Sequence, residues 1–361
     1  MSDRLFGAIE ERVAWVQDYV LSPRYVDLFS PEDIREAVTC YFESGGKRLR
    51  PAVMLFCCGA VGGDERKAIS AAAAVEIFHT WTLVHDDIID RDPLRRGSPT
   101  VHERFAKKPS TIARFGNNGD AAHYGISIAV LTGDVQHGWG ISLMTELTRK
   151  FGISADVTLT LINELDTRVL CTLVEGEVLD VQYSKEPIGN LTSEQIEDML
   201  WKKTGALYEF AGASGAAIGL NTPDLKHPLV RTLEQFTSAC GAAFQLQDDI
   251  LGIIGDEKLL GKPVGADIRE GKRTIIARES WLRASERQRK LIDSTLGNLH
   301  APHDQIDEVT KLFIELGGIE ETAQRARAHI ERGMQYLEPL PQTQYRDWLA
   351  DWALFMIERK F

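Results

Sequence analysis

Leu83-Val84-His85-Asp86-Asp87-Ile88-Ile89-Asp90 closes a long apolar stretch that begins near residue 65. Apolar residues recur there at three- and four-residue spacing, the period of a helix. The same layout returns at Phe244-Gln245-Leu246-Gln247-Asp248-Asp249-Ile250-Leu251-Gly252, again an apolar helical run ending in paired aspartates. Outward from these two runs, segments near 4–20, 31–42, 119–147, 154–183, 193–219, 226–255, 304–315 and 319–338 carry the same period. Ser193 with Gln195 and Glu197 marks a helix N-terminus. Alternating strands with hairpin turns are missing. Breakers such as Gly62-Gly63-Asp64, Asn117-Asn118-Gly119 and Gly261-Lys262-Pro263 fall between the periodic segments, and no linker divides the chain. The reading is all-α: one domain over residues 1–361, a bundle of unusually long helices.

Composition agrees. The 361 residues are 43% apolar and 26% charged, enough for a large core and too ordered for a low-complexity chain. A net charge of −12 lacks the basic footprint of nucleic-acid binding and argues against electrostatic attachment to anionic membranes. No apolar run approaches the roughly 18 to 20 residues of a spanning helix, and Met1-Ser2-Asp3-Arg4 does not begin a signal pattern. The chain reads as cytoplasmic. Cys40, Cys57, Cys58, Cys171 and Cys240 include no C-x-x-C pair, so free buried thiols are expected.

On a helix Asp86 and Asp90 share a face, roughly 5–6 Å apart. Their repulsion worsens with partial desolvation, and a divalent cation removes it. Carboxylates suit Mg²⁺, which typically keeps one or two of them plus substrate phosphates. A solvated acidic helix end is the alternative for this cluster alone; the second cluster weakens it, because two such clusters can face each other across a bundle. Basic loops lie beside both. Gly45-Gly46-Lys47-Arg48-Leu49-Arg50-Pro51 precedes a helix, Arg95-Arg96 follows the first cluster, and Lys262 and Gly271-Lys272-Arg273 follow the second. Arginine forks and lysine point charges are the usual partners of phosphate, although ordinary surface charge would explain any one loop. There is no G-x-x-x-x-G-K-[ST] loop, no G-x-S-x-G elbow and no H-E-x-x-H helix. What remains is a diphosphate leaving group beside an apolar chain, with magnesium carboxylates to take the developing charge and helix walls to exclude water.

These residues resemble the trans-isoprenyl diphosphate (polyprenyl) synthases, the group holding farnesyl and geranylgeranyl diphosphate synthases. The likeness runs from Gly45–Pro51 through the first aspartate motif with Arg95-Arg96-Gly97-Ser98-Pro99-Thr100, Lys203-Thr204-Gly205, Gln245 with Asp248-Asp249, Lys262, Asp267 and Lys272, to Gly317-Gly318-Ile319. The resemblance implies the terpenoid-synthase bundle, usually a homodimer. It implies that Asp86 and Asp90 hold two magnesium ions and Asp248 a third. Arg95, Lys203, Thr204, Gln245, Lys262 and Lys272 would hold an allylic diphosphate. Lys47, Arg50, His79 and Arg96, with the Gly46 backbone, would hold isopentenyl diphosphate. The implied reaction is ionisation of the allylic diphosphate, attack by the isopentenyl double bond, and proton loss to the departing diphosphate. It yields an all-trans prenyl diphosphate.

Trp81, five residues before Asp86, stands where the family places a floor under the growing chain, with the smaller Thr82 next to it. A chain lengthens by about one helical turn, about 5.4 Å, per isoprene unit. The resemblance implies a fifteen- to twenty-carbon product, geranylgeranyl favoured and farnesyl next. Position −5 lies about 140° from Asp86 on a helical wheel, so periodicity alone does not select Trp81; ordinary core packing is its alternative. Three departures stand out: Gly252 where many members have a third aspartate, Glu177 where many have glutamine, and the polar, glycine-rich Gln136-His137-Gly138-Trp139-Gly140. A class I terpene cyclase would not need Lys47, Arg50 and Arg96. A non-catalytic partner subunit should have lost aspartates or basic residues. A metal-storage bundle leaves the basic loops unexplained. The C-terminal Arg359-Lys360-Phe361 is expected to fray, with closure over the site as the alternative.

Overall fold

The computed structural model describes residues 3–116, 119–255 and 265–359. Its longer helices are α1 (Asp3–Val20), α2 (Glu32–Glu43), α3 (Leu49–Ala60), α4 (Ile69–Ile89), α5 (Gly119–Phe151), α6 (155–183), α7 (193–220), α8 (Pro228–Ile254), α9 (Ile275–Arg283), α10 (Glu286–Thr295), α11 (His303–Glu315), α12 (Gly318–Leu337) and α13 (Gln344–Glu358). α4 packs along α5, α7 lies between α3 and α8, and α12 covers α8. Among the described residues the only sheet is a two-stranded ladder, β1 (Leu94–Arg95) and β2 (Ser98–Pro99). No helix of the described residues is long and apolar enough to cross a membrane.

The period along the sequence did not mark α3, α9, α10 or α13, although a helix was expected after Gly45–Pro51. Every residue of α3 is buried, so Leu49-Arg50-Pro51-Ala52-Val53-Met54-Leu55-Phe56-Cys57-Cys58 has no polar face to create a period. The start of α7 differs slightly from expectation. Its N-cap is Thr192, whose hydroxyl accepts from Gln195 N–H at 3.2 Å while Gln195 Oε1 accepts from Thr192 N–H at 2.9 Å. All five cysteines are free and four are buried; Cys171 is exposed on α6.

Two helices carry a turn of wider i→i+5 pitch. Leu165–Val169 interrupts α6 and Trp201–Gly205 interrupts α7. Such turns cluster at functional positions because they re-aim side chains without ending the helix. The second one carries Lys203 and Thr204. α6 passes so close to it that a Cβ at Gly176 would overlap the Lys203 backbone nitrogen and lie 2.7 Å from the Lys203 Cα.

Candidate active site

Asp86 and Asp87 occupy the last turn of α4 and Asp90 is its C-cap, donating its N–H to Asp86 O at 2.8 Å. Three carboxylates at the negative end of a helix dipole are misplaced unless cations join them. Neighbouring positions point in different directions. Asp87, fully buried, turns inward to accept from the Tyr41 hydroxyl and from Arg95 Nε at 2.6 Å. Arg95, anchored there, reaches Asp86 Oδ2 at 3.1 Å.

Asp86 and Asp90 face α6, which contributes Glu177 and Asp180. One carboxylate oxygen from each of Asp86, Asp90 and Glu177 lies within 4.8 Å of the others. Lys203 Nζ sits 3.0 Å from Asp86 Oδ1, 3.0 Å from Glu177 Oε2 and 2.7 Å from Asp180 Oδ2. Lys272 Nζ bridges Asp90 Oδ2 at 2.7 Å and Asp180 Oδ2 at 3.1 Å. Burial alone would raise the Asp86 carboxyl, but Lys203, Arg95 and Lys272 hold it below the usual carboxylate range. Glu177 is pushed up by burial, only partly opposed by Lys203, and its Oε1 accepts no hydrogen bond. The donor set is hard oxygen, close enough for one or more divalent cations. Glu177 and Asp180 were not assigned roles in the sequence reading. Their i, i+3 spacing puts them on one helix face, as the i, i+4 spacing does for Asp86 and Asp90.

The second aspartate cluster, on α8, lines the same cavity. Thr204 Oγ1 donates to Gln245 Oε1 at 2.9 Å, and Gln245 Nε2 donates to Asp249 Oδ1 at 3.1 Å. Burial and the nearby Asp267 push the Asp249 carboxyl well above its ordinary range. Asp248, partly exposed, pairs with Arg359 Nη2 at 2.6 Å. The expected frayed terminus is corrected at this residue. The Arg359 side chain is buried, lies 3.9 Å over the Phe244 ring and donates to Phe244 O at 2.9 Å. A Cβ at Gly252 would meet the Asp267 Oδ2, so a third aspartate at 252 would have to displace that carboxylate.

At the other end of the cavity basic groups gather around the Gly45–Arg50 turn. Gly46 has φ +130°, and a side chain there would meet the Arg96 guanidinium, whose Nη1 donates to Gly45 O. Arg96 is itself at φ 53° in the two-residue turn Arg96-Gly97 joining β1 to β2, a strained position for a non-glycine residue. That turn sends Arg95 to the aspartates and Arg96 to the glycines. Arg50 Nη1 lies 3.3 Å from His79 Nε2, and its guanidinium stacks 4.3 Å over Tyr208. Burial and the surrounding arginines lower the His79 pKa well below its ordinary value. Burial, with Arg359 and Arg96, pulls Lys47 down to about 8. Crowded cations of this kind invite an anion. Arg48 takes no part, being spent on Glu76 at 3.0 Å.

Arg50, His79, Trp81, Thr82, Asp86, Asp90, Arg95, Arg96, Lys203, Thr204, Gln245, Asp248 and Lys272 all line one cavity of about 680 Å³. Leu83, Leu173, Val174, Met199 and Phe244 supply its apolar wall. Gly46 and Lys47 are not part of that lining; they sit next to Arg96 and to Asp248 respectively. Lys262 lies outside the described residues.

A carboxylate cluster able to hold a metal, flanking cations and an apolar chamber inside a helical bundle define an enzyme of the terpenoid-synthase type. A model described as polyprenyl synthetase matches residues 31–313. Geranylgeranyl diphosphate synthase of Sulfolobus acidocaldarius is 37% identical over 75% of this chain and 74% of its own. The structure of geranylgeranyl pyrophosphate synthetase from Pyrococcus horikoshii superposes with a TM-score of 0.84 at 31% identity, covering 99% of both chains. That of geranylgeranyl pyrophosphate synthase from Corynebacterium glutamicum, complexed with isoprenyl diphosphate and magnesium, gives 0.83 at 28% identity over 99% of both. The chain belongs to the polyprenyl synthetase family and is a prenyltransferase.

Proposed function

We propose that this chain, acting as one domain over residues 1–361, condenses isopentenyl diphosphate with an allylic diphosphate to make all-trans geranylgeranyl diphosphate, with farnesyl diphosphate the next candidate. The observation that carries the reading is the single cavity holding a metal-fit carboxylate cluster at one side and the cations of Arg50 and Arg96 at the other, with Lys47 close to Arg96. A carboxylate store for metal would not need the second set.

Asp86 and Asp90 would hold two Mg²⁺ ions and Asp248 a third; bound there, the metal neutralises charge developing on diphosphate oxygens. Lys203 and Lys272, each on at least two carboxylates, are placed to turn to the allylic diphosphate together with Arg95, Thr204, Gln245 and Lys262. Lys47, Arg50, His79, Arg96 and the Gly46 backbone would take isopentenyl diphosphate. Once the allylic C–O bond breaks, the isopentenyl double bond attacks the cation, and the proton lost from the new chain leaves with the departing diphosphate. His79 supplies a hydrogen bond beside Arg50. The apolar wall keeps water from the cation, and Trp81 stops the chain.

A homodimer fits the exposed apolar stripe of Ile126, Val130 and Leu131 on α5. Five unpaired thiols support a cytoplasmic setting.

The test incubates purified protein with labelled isopentenyl diphosphate, Mg²⁺ and five-, ten- or fifteen-carbon allylic diphosphates, then chromatographs the dephosphorylated products. A discrete twenty-carbon alcohol bears the proposal out. A hydrocarbon made without isopentenyl diphosphate points to a cyclase, and no turnover to a partner subunit. Lys47 adds a pH signature. A lysine whose pKa is lowered to about 8 loses its charge as pH rises through that value, so kcat/KM for isopentenyl diphosphate falls on the alkaline side with an apparent pKa of about 8. Lys47→Arg removes this limb, because a guanidinium stays charged.

A further inference from the structure

Arg95 and Arg96 ride on the loop between α4 and the short helix Val101–Ala106. One phenol oxygen ties both ends of that loop together. Tyr41, on α2, is buried and stands outside the cavity lining. Its hydroxyl donates to Asp87 Oδ2 and accepts from the Val101 N–H at 3.2 Å. Burial and the neighbouring Asp87 raise the Tyr41 pKa, so the phenol stays a donor at neutral pH. Val101 opens the short helix. Its N-cap, Thr100, makes no side-chain cap, because the Thr100 hydroxyl turns back to Asp92 O at 2.8 Å. Tyr41 therefore satisfies a helix N-terminal N–H that the local sequence leaves open.

The same oxygen decides how Arg95 is held. Asp87 is fully buried, and Arg95 is its cationic partner. A carboxylate with both oxygens open pairs side by side with an arginine fork, which would draw the whole fork into Asp87. Here Tyr41 occupies Oδ2. Arg95 Nε donates to Oδ1 at 2.6 Å, and Nη2 shares that oxygen while reaching Asp86 Oδ2 at 3.1 Å. The guanidinium is left on the cavity wall. Arg96 is held separately, by Gly45 O. We propose that Tyr41 is a positioning residue that, through Asp87, presents Arg95 to the allylic diphosphate. The proposal rests on the prenyltransferase reading, in which Arg95 binds that diphosphate.

Removing the hydroxyl frees Asp87 Oδ2 and the Val101 N–H at once. A buried carboxylate that loses one donor takes more from the partner it keeps. Arg95 then turns into Asp87 and away from the diphosphate. Phenylalanine at 41 keeps the ring in the apolar cluster with Val84, Val101 and Phe105, so the packing of α2 survives.

The experiment compares wild type with Tyr41→Phe, Arg95→Gln and the Tyr41→Phe/Arg95→Gln pair. With Mg²⁺ present it reads kcat and KM for a ten-carbon allylic diphosphate, KM for isopentenyl diphosphate, and the calorimetric Kd of the ten-carbon thiodiphosphate, whose C–S bond ionises slowly. A thermal melt confirms the fold. Tyr41→Phe is expected to raise the allylic KM and the thiodiphosphate Kd about tenfold, the contribution of one hydrogen bond to a charged group, and to leave KM for isopentenyl diphosphate within about twofold. In the Arg95→Gln background the same substitution changes the Kd by less than about twofold, since two residues acting through one group do not add. A mere packing role would carry through undiminished. Tyr41→Met, which fills the apolar cluster without a hydroxyl, replaces Tyr41→Phe if the phenylalanine variant does not fold. A wild-type allylic KM and Kd in the folded variant, or a rise that persists in full on top of Arg95→Gln, overturns the positioning role alone. A wild-type protein that makes no prenyl diphosphate overturns the proposed function and the positioning role with it.

Discussion

Asp86→Asn lowers kcat for condensation by about three orders of magnitude while the protein stays folded. Asp86 is the carboxylate on which the site converges: it lies within 4.8 Å of Asp90 and Glu177 and touches both Lys203 and Arg95. Losing one group that stabilises developing charge in a water-poor site costs about 10²- to 10³-fold. Here a metal ligand goes with it, which puts the loss at the upper end. Asparagine keeps the shape and one acceptor oxygen. Lys203 retains Asp180 and Glu177, and Arg95 retains Asp87, so no buried charge is stranded. Steady-state kinetics with Mg²⁺ titration, beside a thermal melt, check both halves. A kcat within tenfold of wild type would remove Asp86 from the metal assignment.

Gly176→Ala costs about 3 kcal/mol of stability and most of the activity. The added methyl would overlap the Lys203 backbone nitrogen, and backbone has no rotamer by which to yield. α6 and α7 must move apart, and overpacking of this kind typically costs 1–3 kcal/mol, occasionally more. The displaced segment is the wide turn that aims Lys203 at Asp86, Glu177 and Asp180. Thermal unfolding and kcat should therefore fall together. An alanine variant with wild-type melting and turnover would show that the helices have slack here.

The architecture was legible where helices have two faces. α5, α8 and α12 each keep a polar side, and their periods stand out along the chain. α3 did not, because burial on every side erases the period. The two aspartate clusters and the basic loops were legible for a different reason: charges next to apolar helix runs are costly unless something pairs with them. Asp87 shows the limit of that signal. It sits inside the first cluster, yet its side chain turns away to anchor Arg95 through a buried contact shared with Tyr41.

Residue types and their spacing were enough to establish an all-α chain, two carboxylate clusters and the phosphate-seeking loops, since helix period and charge placement are local properties. Whether those charges meet is not local. The wide turns in α6 and α7, the close pass at Gly176 and the turn at Arg96-Gly97 brought Lys203, Lys272, Glu177 and Asp180 to Asp86 and Asp90. Packing also set Asp267 over Gly252, Arg359 on Asp248, and His137 behind Trp81. Each of these pairs joins residues far apart in the chain or on different helices, and only the folded chain sets the distance between them.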